Sequence, residues 1–237
     1  MAYKIPSIIH YTFKNNNLPK EIINVIEQNK RMCPGCEFRF YDDVACEAFI
    51  KDNFPEGVYN AFKKLNPIYG AMKADFFRYC VLYKLGGIYI DIKTKIKVPI
   101  FSLIRPDDIC ILDIPRRLEK FRNCTKPTFE QWILMFSPEH PYLRCMISLM
   151  VHYTQIRYEP KQICNIVLNT KQKILNVTGP DAFTKAIYRS NSKHKQILHR
   201  HINYINYFIR AGTSNYKNMY AINGEKHYSE YKEPLYI

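Results

Sequence analysis

Between positions 72 and 83 the apolar residues Met72, Phe76, Tyr79, Cys80 and Tyr83 recur at helical spacing, which predicts an amphipathic helix with that stripe buried. Asp75 and Arg78 lie three apart on another face of the same helix, a spacing at which side chains meet. Gly86 and Gly87 then stop the helix. Beyond them Ile88, Ile90 and Ile92 alternate with Tyr89, Asp91 and Lys93, so a strand is expected whose polar side faces a cleft or water. Asp91 falls at its tip.

The flanking pattern is that of strand and helix in turn. Residues 5–11 predict a first strand, and Ile22, Ile23 and Ile26 form the apolar edge of a helix after Pro19. Residues 37–41 alternate like a second strand, Asp42 and Asp43 are suited to cap a helix running to about 53, and Asn66-Pro67 interrupts the chain before the central helix. Such a start is typical of nucleotide-binding α/β folds. Residues 109–114 and 132–136 are further apolar strand candidates, and a helix is expected from His140-Pro141 to about 151. Gly179-Pro180-Asp181 precedes a short helix to about 188, and residues 202–209 read as a late strand. There is no internal repeat and no low-complexity linker.

Length changes this picture little: 237 residues suit one large α/β domain, taken as residues 1–237. The opening residues lack a long apolar core and a small-residue cleavage site, and no run of about 18 apolar residues occurs, so a soluble, cytoplasmic protein is expected. The net charge of +14 favours phosphate-rich partners, and nucleic acid, anionic membrane and nucleotide sugars all fit such a field. Its basic residues are dispersed, with short concentrations only at 116–122 and 192–201. That distribution reads as solvated surface without a specific nucleic-acid partner, compatible with peripheral contact with anionic membrane.

Of the eight cysteines only Cys33-Pro34-Gly35-Cys36 has motif spacing. A redox or zinc role would need a second ligand pair or a thioredoxin-like context, so the expectation is a turn with two ordinary thiols. Asn123-Cys124-Thr125 and Asn176-Val177-Thr178 match glycosylation sequons, expected to stay unmodified outside the secretory route.

Asp91 is the leading site candidate, because an acid at the carboxyl end of a buried strand sits where open α/β sheets bind ligands. Asp75 and Arg78 read either as a helix-surface ion pair or as ligand groups, Arg78 offering forked donors to sugar or phosphate oxygens. The segment carrying them resembles the DXD glycosyltransferases of the family 32 kind, related to yeast initiating mannosyltransferases, α-1,4-galactosyltransferases and, distantly, glucosylating clostridial toxins. Their pattern runs A-x-x-x-D-x-x-R-Y, then L-x-x-x-G-G-x-Y-x-D-x-D. Asp75, Arg78, Tyr79, Leu82, Gly86, Gly87, Tyr89 and Asp91 match it. Residues 5–13 are similar to the family's opening I-P-x-I-I-H-x-x-W, with Phe13 in place of the tryptophan. Pro34-Gly35-Cys36-Glu37 with Tyr41-Asp42-Asp43, His140-Pro141 and Thr178-Gly179-Pro180 resemble later landmarks.

The resemblance implies a glycosyltransferase A-type α/β fold with a mainly parallel sheet. It also implies transfer of a hexose from a UDP- or GDP-sugar to a hydroxyl acceptor (glycan, glycolipid or protein), with retention at the anomeric carbon. Asp75, Arg78 and Asp91 are then expected at the donor sugar, and His10, Tyr11 and Phe13 around the nucleotide. Asp91 and His227 are expected at a divalent cation, Mn²⁺ or Mg²⁺. Lys93 replaces the second aspartate of the motif. At an effective dielectric near 20, a divalent ion about 4 Å from an ammonium is repelled by roughly 8 kcal/mol. Either the lysine stem carries its charge aside, or the ammonium itself neutralises the donor diphosphate, joining Asp91 and Arg78 as the catalytic groups. The competing expectation is a basic protein that kept the fold, lost transfer and holds polyanions.

Overall fold

The computed structural model describes residues 3–115, 128–163, 166–193, 198–210 and 226–237. The chain enters through β1 (Ile8–Thr12), α1 (Lys20–Met32), β2 (Glu37–Tyr41), α2 (Asp43–Asn53) and α3 (Glu56–Lys63). The helix α4 (Gly70–Leu85) follows, then β3 (Gly87–Ile90) and β4 (Thr94–Ile96). Next come β5 (Cys110–Asp113), β6 (Ile133–Phe136), α5 (Pro141–Gln155), and the short pair β7 (Gln162–Ile163) and β8 (Ile166–Val167). The last elements are α6 (Thr170–Val177), α7 (Pro180–Asn191), β9 (Arg200–Ile202), α8 (Tyr204–Tyr207) and β10 (Phe208–Arg210).

The central sheet has the order β2-β1-β3-β6-β5-β9. β6 runs antiparallel to both its neighbours and every other pairing is parallel, so the sheet is mainly parallel. β4 and β10 form a separate antiparallel pair. Alternation along the strands divides the core between two faces. Tyr89, Leu134 and Leu112 pack with α4, α5 and α7, whereas Ile88, Ile90, Ile111 and Ile133 pack with α1.

Local chemistry explains the boundaries. Asp42 caps α2 by accepting from Ala45 N at 2.8 Å, and His140 caps α5 through Nδ1 with Pro141 at the first helical position. Gly86 and Gly87 take φ of 64° and 94°, which glycine adopts without a Cβ penalty. A Cβ on Gly87 would stand 2.6 Å from the Ile8 carbonyl oxygen, and one on Gly86 would stand 2.6 Å from Pro138 Cδ. The double glycine thus ends α4 and also lets β3 press against β1.

The structure corrects several expectations. α4 is buried almost all round, with Asp75 5% and Arg78 6% exposed, so this pair is no surface feature. β3 stops at Ile90, and Asp91 to Thr94 form a turn closed by Thr94 N donating to the Asp91 carbonyl at 2.8 Å. Lys93 therefore does not share a strand face with Asp91. Residues 202–209 are not one strand. Tyr204 is buried, with its N–H on Asp113 Oδ1 and its hydroxyl on the Ile111 carbonyl, and this anchorage bends the chain into α8. Tyr83 is half-buried and Ile23 is exposed. The basic cluster 116–122, the sequon at Asn123, Cys124, Cys164 and part of 192–201 lie outside the described residues. Among the described residues no helix is long and apolar enough to cross a membrane.

Candidate active site

β3 lies inside the sheet, between the parallel β1 and the antiparallel β6, so its carboxyl end opens beside that of β1 and beside the segment entering β6. Asp91 is fixed there by its backbone, with N–H donating to the Trp132 carbonyl at 2.8 Å. From α4, Arg78 reaches the same place. Its Nη2 is 2.9 Å from Asp75 Oδ1, and its Nη1 is 3.4 Å from Asp91 Oδ1. Nη1 also donates to the Gln131 carbonyl at 2.6 Å. The guanidinium carbon sits 4.4 Å from the centre of the Tyr89 ring, a cation–π contact.

Asp75 is held from its other side. Gln131 Nε2 donates to Oδ1 at 2.8 Å and Thr178 Oγ1 donates to Oδ2 at 3.0 Å. The Tyr79 hydroxyl bonds to Gln131 Oε1 and to the Thr178 carbonyl, closing the network. Tyr89 shares a hydrogen bond of 2.9 Å with Thr12 at the end of β1. Burial, which outweighs the charge of Arg78 and the bonds from Thr178 and Gln131, pushes Asp75 up to about 6. Arg78 Nε is buried with no hydrogen-bond partner among the described residues, a donor left over in an otherwise satisfied cluster. The side chains of Asp75 and Arg78 are each 7% exposed and that of Asp91 21%. Asp91 is thus the acid that meets solvent, and the buried pair stands behind it.

The remaining sequence candidates are placed differently. His10 is buried, its Nε2 3.0 Å from the Gly86 carbonyl and its Nδ1 3.3 Å from the Tyr41 hydroxyl, and burial lowers it to about 4. It is a neutral strut beneath the double glycine, with its ring nitrogens committed inside the protein. Tyr11 is buried and its hydroxyl accepts from Asn29 Nδ2 at 2.9 Å, while Phe13 is half-buried against the α1 side of the core. Lys93 is half-buried in the Asp91 turn. His227 caps the 3-10 turn of Tyr228–Glu230, its Nδ1 2.7 Å from Ser229 Oγ. Among the described residues no three His, Cys, Asp or Glu side chains converge to hold a metal, and Asp91 is the more exposed of the two acids at Arg78.

Gln131 was not legible beforehand, since nothing near it in sequence marks it. Thr178 was visible only as part of Thr178-Gly179-Pro180, and its function as a bridge to Asp75 follows from α6 ending beside α4.

A sequence model of the glycosyltransferase sugar-binding region containing the DXD motif matches residues 16–110. The chain is 28% identical over 205 residues to the initiation-specific alpha-1,6-mannosyltransferase of Candida albicans, covering 77% of this chain and 52% of that protein. It is 30% identical over 159 residues to the mannosyl phosphorylinositol ceramide synthase CSH1 of Saccharomyces cerevisiae, covering 66% of this chain and 38% of that one. The chain thus spans about half or less of the length of these relatives. In fold it is similar to the PaToxG glycosyltransferase, with TM-score 0.57, 18% identity, and coverage of 78% of this chain and 69% of that one. It is also similar to the UDP-bound glycosyltransferase domain of the YGT toxin, with TM-score 0.55, 9% identity, and coverage of 84% and 79%. Residues 16–110 thus match the glycosyltransferase sugar-binding region containing the DXD motif, with Lys93 in place of the second aspartate, and the fold is similar to that of solved glycosyltransferase domains.

Proposed function

We propose that this chain transfers a hexose from a UDP- or GDP-sugar to a hydroxyl acceptor, with retention at the anomeric carbon. The observation that supports it most is the acid pair Asp75 and Asp91 joined by one buried guanidinium at the carboxyl end of β3. Solved glycosyltransferase domains of similar fold include one bound to UDP, which favours a nucleotide-sugar donor. Names of relatives point to mannose as the hexose.

Asp91 is the group that touches the donor, accepting from sugar or ribose hydroxyls. Arg78 is committed to Asp75, Asp91 and the Gln131 carbonyl, so it and Asp75 are positioning residues that fix the direction of the Asp91 carboxylate. Transfer breaks the bond from the anomeric carbon to the diphosphate and forms one to the acceptor oxygen, whose proton leaves. Negative charge grows on the departing diphosphate, and Lys93 in the Asp91 turn is the cation assigned to it. A divalent ion, Mn²⁺ or Mg²⁺, would be held by Asp91 and complete its shell with diphosphate oxygens and water, adding positive charge at the leaving group.

A panel of UDP- and GDP-sugars tested for nucleoside diphosphate release checks the reading. Release from at least one donor, lost in Asp91→Asn, is expected. No release from any donor, together with polyanion binding that falls steeply with salt, would favour the polyanion-binding alternative.

A further inference from the structure

At the opposite end of the sheet from Asp91, the chain turns from α1 into β2 through Cys33-Pro34-Gly35-Cys36. Cys36 N donates to the Cys33 carbonyl at 3.1 Å, which closes a four-residue turn. A turn of this kind holds its end Cα atoms within about 7 Å, and disulfides bridge Cα atoms roughly 4.4–6.8 Å apart. Both are free thiols, Cys33 buried and Cys36 half-buried. Ile100 N–H points at Cys33 Sγ from 3.5 Å. Both cysteines line a cavity of about 650 Å³, together with Ser7, Pro34 and Phe101. The site therefore combines a bridgeable spacing, two free thiols at the ends of one turn, a backbone donor aimed at one of them, and space for a reagent to approach.

We propose that Cys33 and Cys36 form a thiol–disulfide exchange site that takes small organic disulfides of the oxidised-glutathione class. The Cys33 thiolate attacks one sulfur of the reagent, forming a mixed disulfide and expelling one thiol. Cys36 then gives up its proton and attacks Cys33 Sγ, forming the Cys33–Cys36 bond and expelling the second thiol. Two protein thiols are oxidised and one disulfide is reduced to two thiols, so electrons and protons balance. The neighbouring Cys36 thiol and the Ile100 N–H lower Cys33 below the ordinary thiol range, against its burial. A thiol titrating near ambient pH is best matched to exchange. Burial instead raises Cys80 and Cys110 well above the ordinary thiol range, leaving them as inert core residues. The geometry is independent of Asp91 and of the transfer reaction.

The full chain is equilibrated in glutathione buffers of graded oxidised-to-reduced ratio, quenched with iodoacetamide and mapped by peptide mass. The Cys33–Cys36 disulfide is expected to appear as the ratio rises. Cys36→Ser, with its fold checked by circular dichroism, is expected to accumulate glutathione on Cys33. In the wild type Cys33 should be alkylated with a midpoint below the ordinary thiol range of about 8.5. Both cysteines alkylated as free thiols at every ratio would overturn the proposal. So would glutathione on Cys33 of Cys36→Ser no more abundant than on the half-buried Cys145.

Discussion

Arg78 on α4 stands 3.4 Å from Asp91, thirteen positions further along the chain and just past the end of β3, so a helix interior fixes the direction of an acid on a turn. Because Asp91 is the partly exposed member of the cluster, removing its charge should cost function and leave packing intact. Asp91→Asn is expected to retain wild-type thermal stability within about 1 kcal/mol and to lower kcat by about 10²-fold or more. Steady-state kinetics on folded variant checks this, and turnover within a few fold of wild type would remove Asp91 from the reaction.

Arg78 and Asp75 make a different prediction, because both are buried. Arg78→Ala leaves two carboxylates facing one another without their shared cation and should destabilise the fold by about 3–5 kcal/mol. An exposed ion pair would contribute about 1 kcal/mol at most. Urea unfolding of the variant separates the two, and loss in the smaller range would mean that water reaches the cluster.

The pH dependence of stability carries two opposing slopes. Asp75 titrates at about 6 in the folded protein, above its ordinary value of 3.8. Between about pH 4 and 6 the folded state keeps a proton that the unfolded chain has released, so this contribution falls as pH rises through that window and is flat above it. His10 titrates at about 4, below its ordinary 6.5, so its contribution is present above about 6.5 and is lost as pH falls through the same window. Each term amounts to about 3 kcal/mol at most. Stability curves of Asp75→Asn and His10→Gln subtracted from wild type should therefore slope in opposite senses between pH 4 and 6.5, and parallel curves would refute both assignments.

Much of this arrangement was legible in the sequence. Helical spacing placed α4, the alternation at Glu37–Tyr41 matched β2, and Asp42 marked the start of α2. What escaped was burial. Three-residue spacing puts Asp75 and Arg78 on one face, but whether α5, α6 and α7 cover that face depends on contacts made a hundred residues away, such as Thr178 to Asp75. Alternation likewise carries the strand past Ile90, because Ile92 is buried like Ile90 even though it belongs to a turn. The resemblance in residues 5–13 implies a nucleotide contact for His10, which lies within β1. Only the parallel pairing of β1 with β3 shows that it faces the Gly86 carbonyl.

The double glycine stops the helix, and the structure adds a steric demand that can be tested. Gly87→Ala puts a Cβ 2.6 Å from the Ile8 carbonyl oxygen and 3.2 Å from His10 Nε2, at a φ of 94°. Backbone on one side and a buried ring on the other cannot yield, so a loss of more than about 2 kcal/mol is expected, beyond the usual cost of glycine to alanine at positive φ. A thermal melt within a few degrees of wild type would show that β1 and β3 can separate without penalty.

Lys93 separates two ways of balancing the diphosphate charge. The turn from Asp91 to Thr94 sets the lysine two positions from Asp91, and among the described residues no group of three His, Cys, Asp or Glu converges to hold a metal. A lysine stem is long enough to point its ammonium at phosphate oxygens while an ion sits between Asp91 and the diphosphate, so the two cations can share one donor without sharing one position. Turnover should accordingly be stimulated by Mn²⁺ and lost in EDTA. Lys93→Ala should lower kcat/KM by about tenfold, the scale of one charge contact of about 1.4 kcal/mol. Lys93→Asp should move half-maximal stimulation to lower Mn²⁺ concentration, because it restores a second carboxylate and removes the repulsion. Full wild-type turnover in excess EDTA would assign the counter-charge to Lys93 alone, and the loss on Lys93→Ala should then be far larger than tenfold.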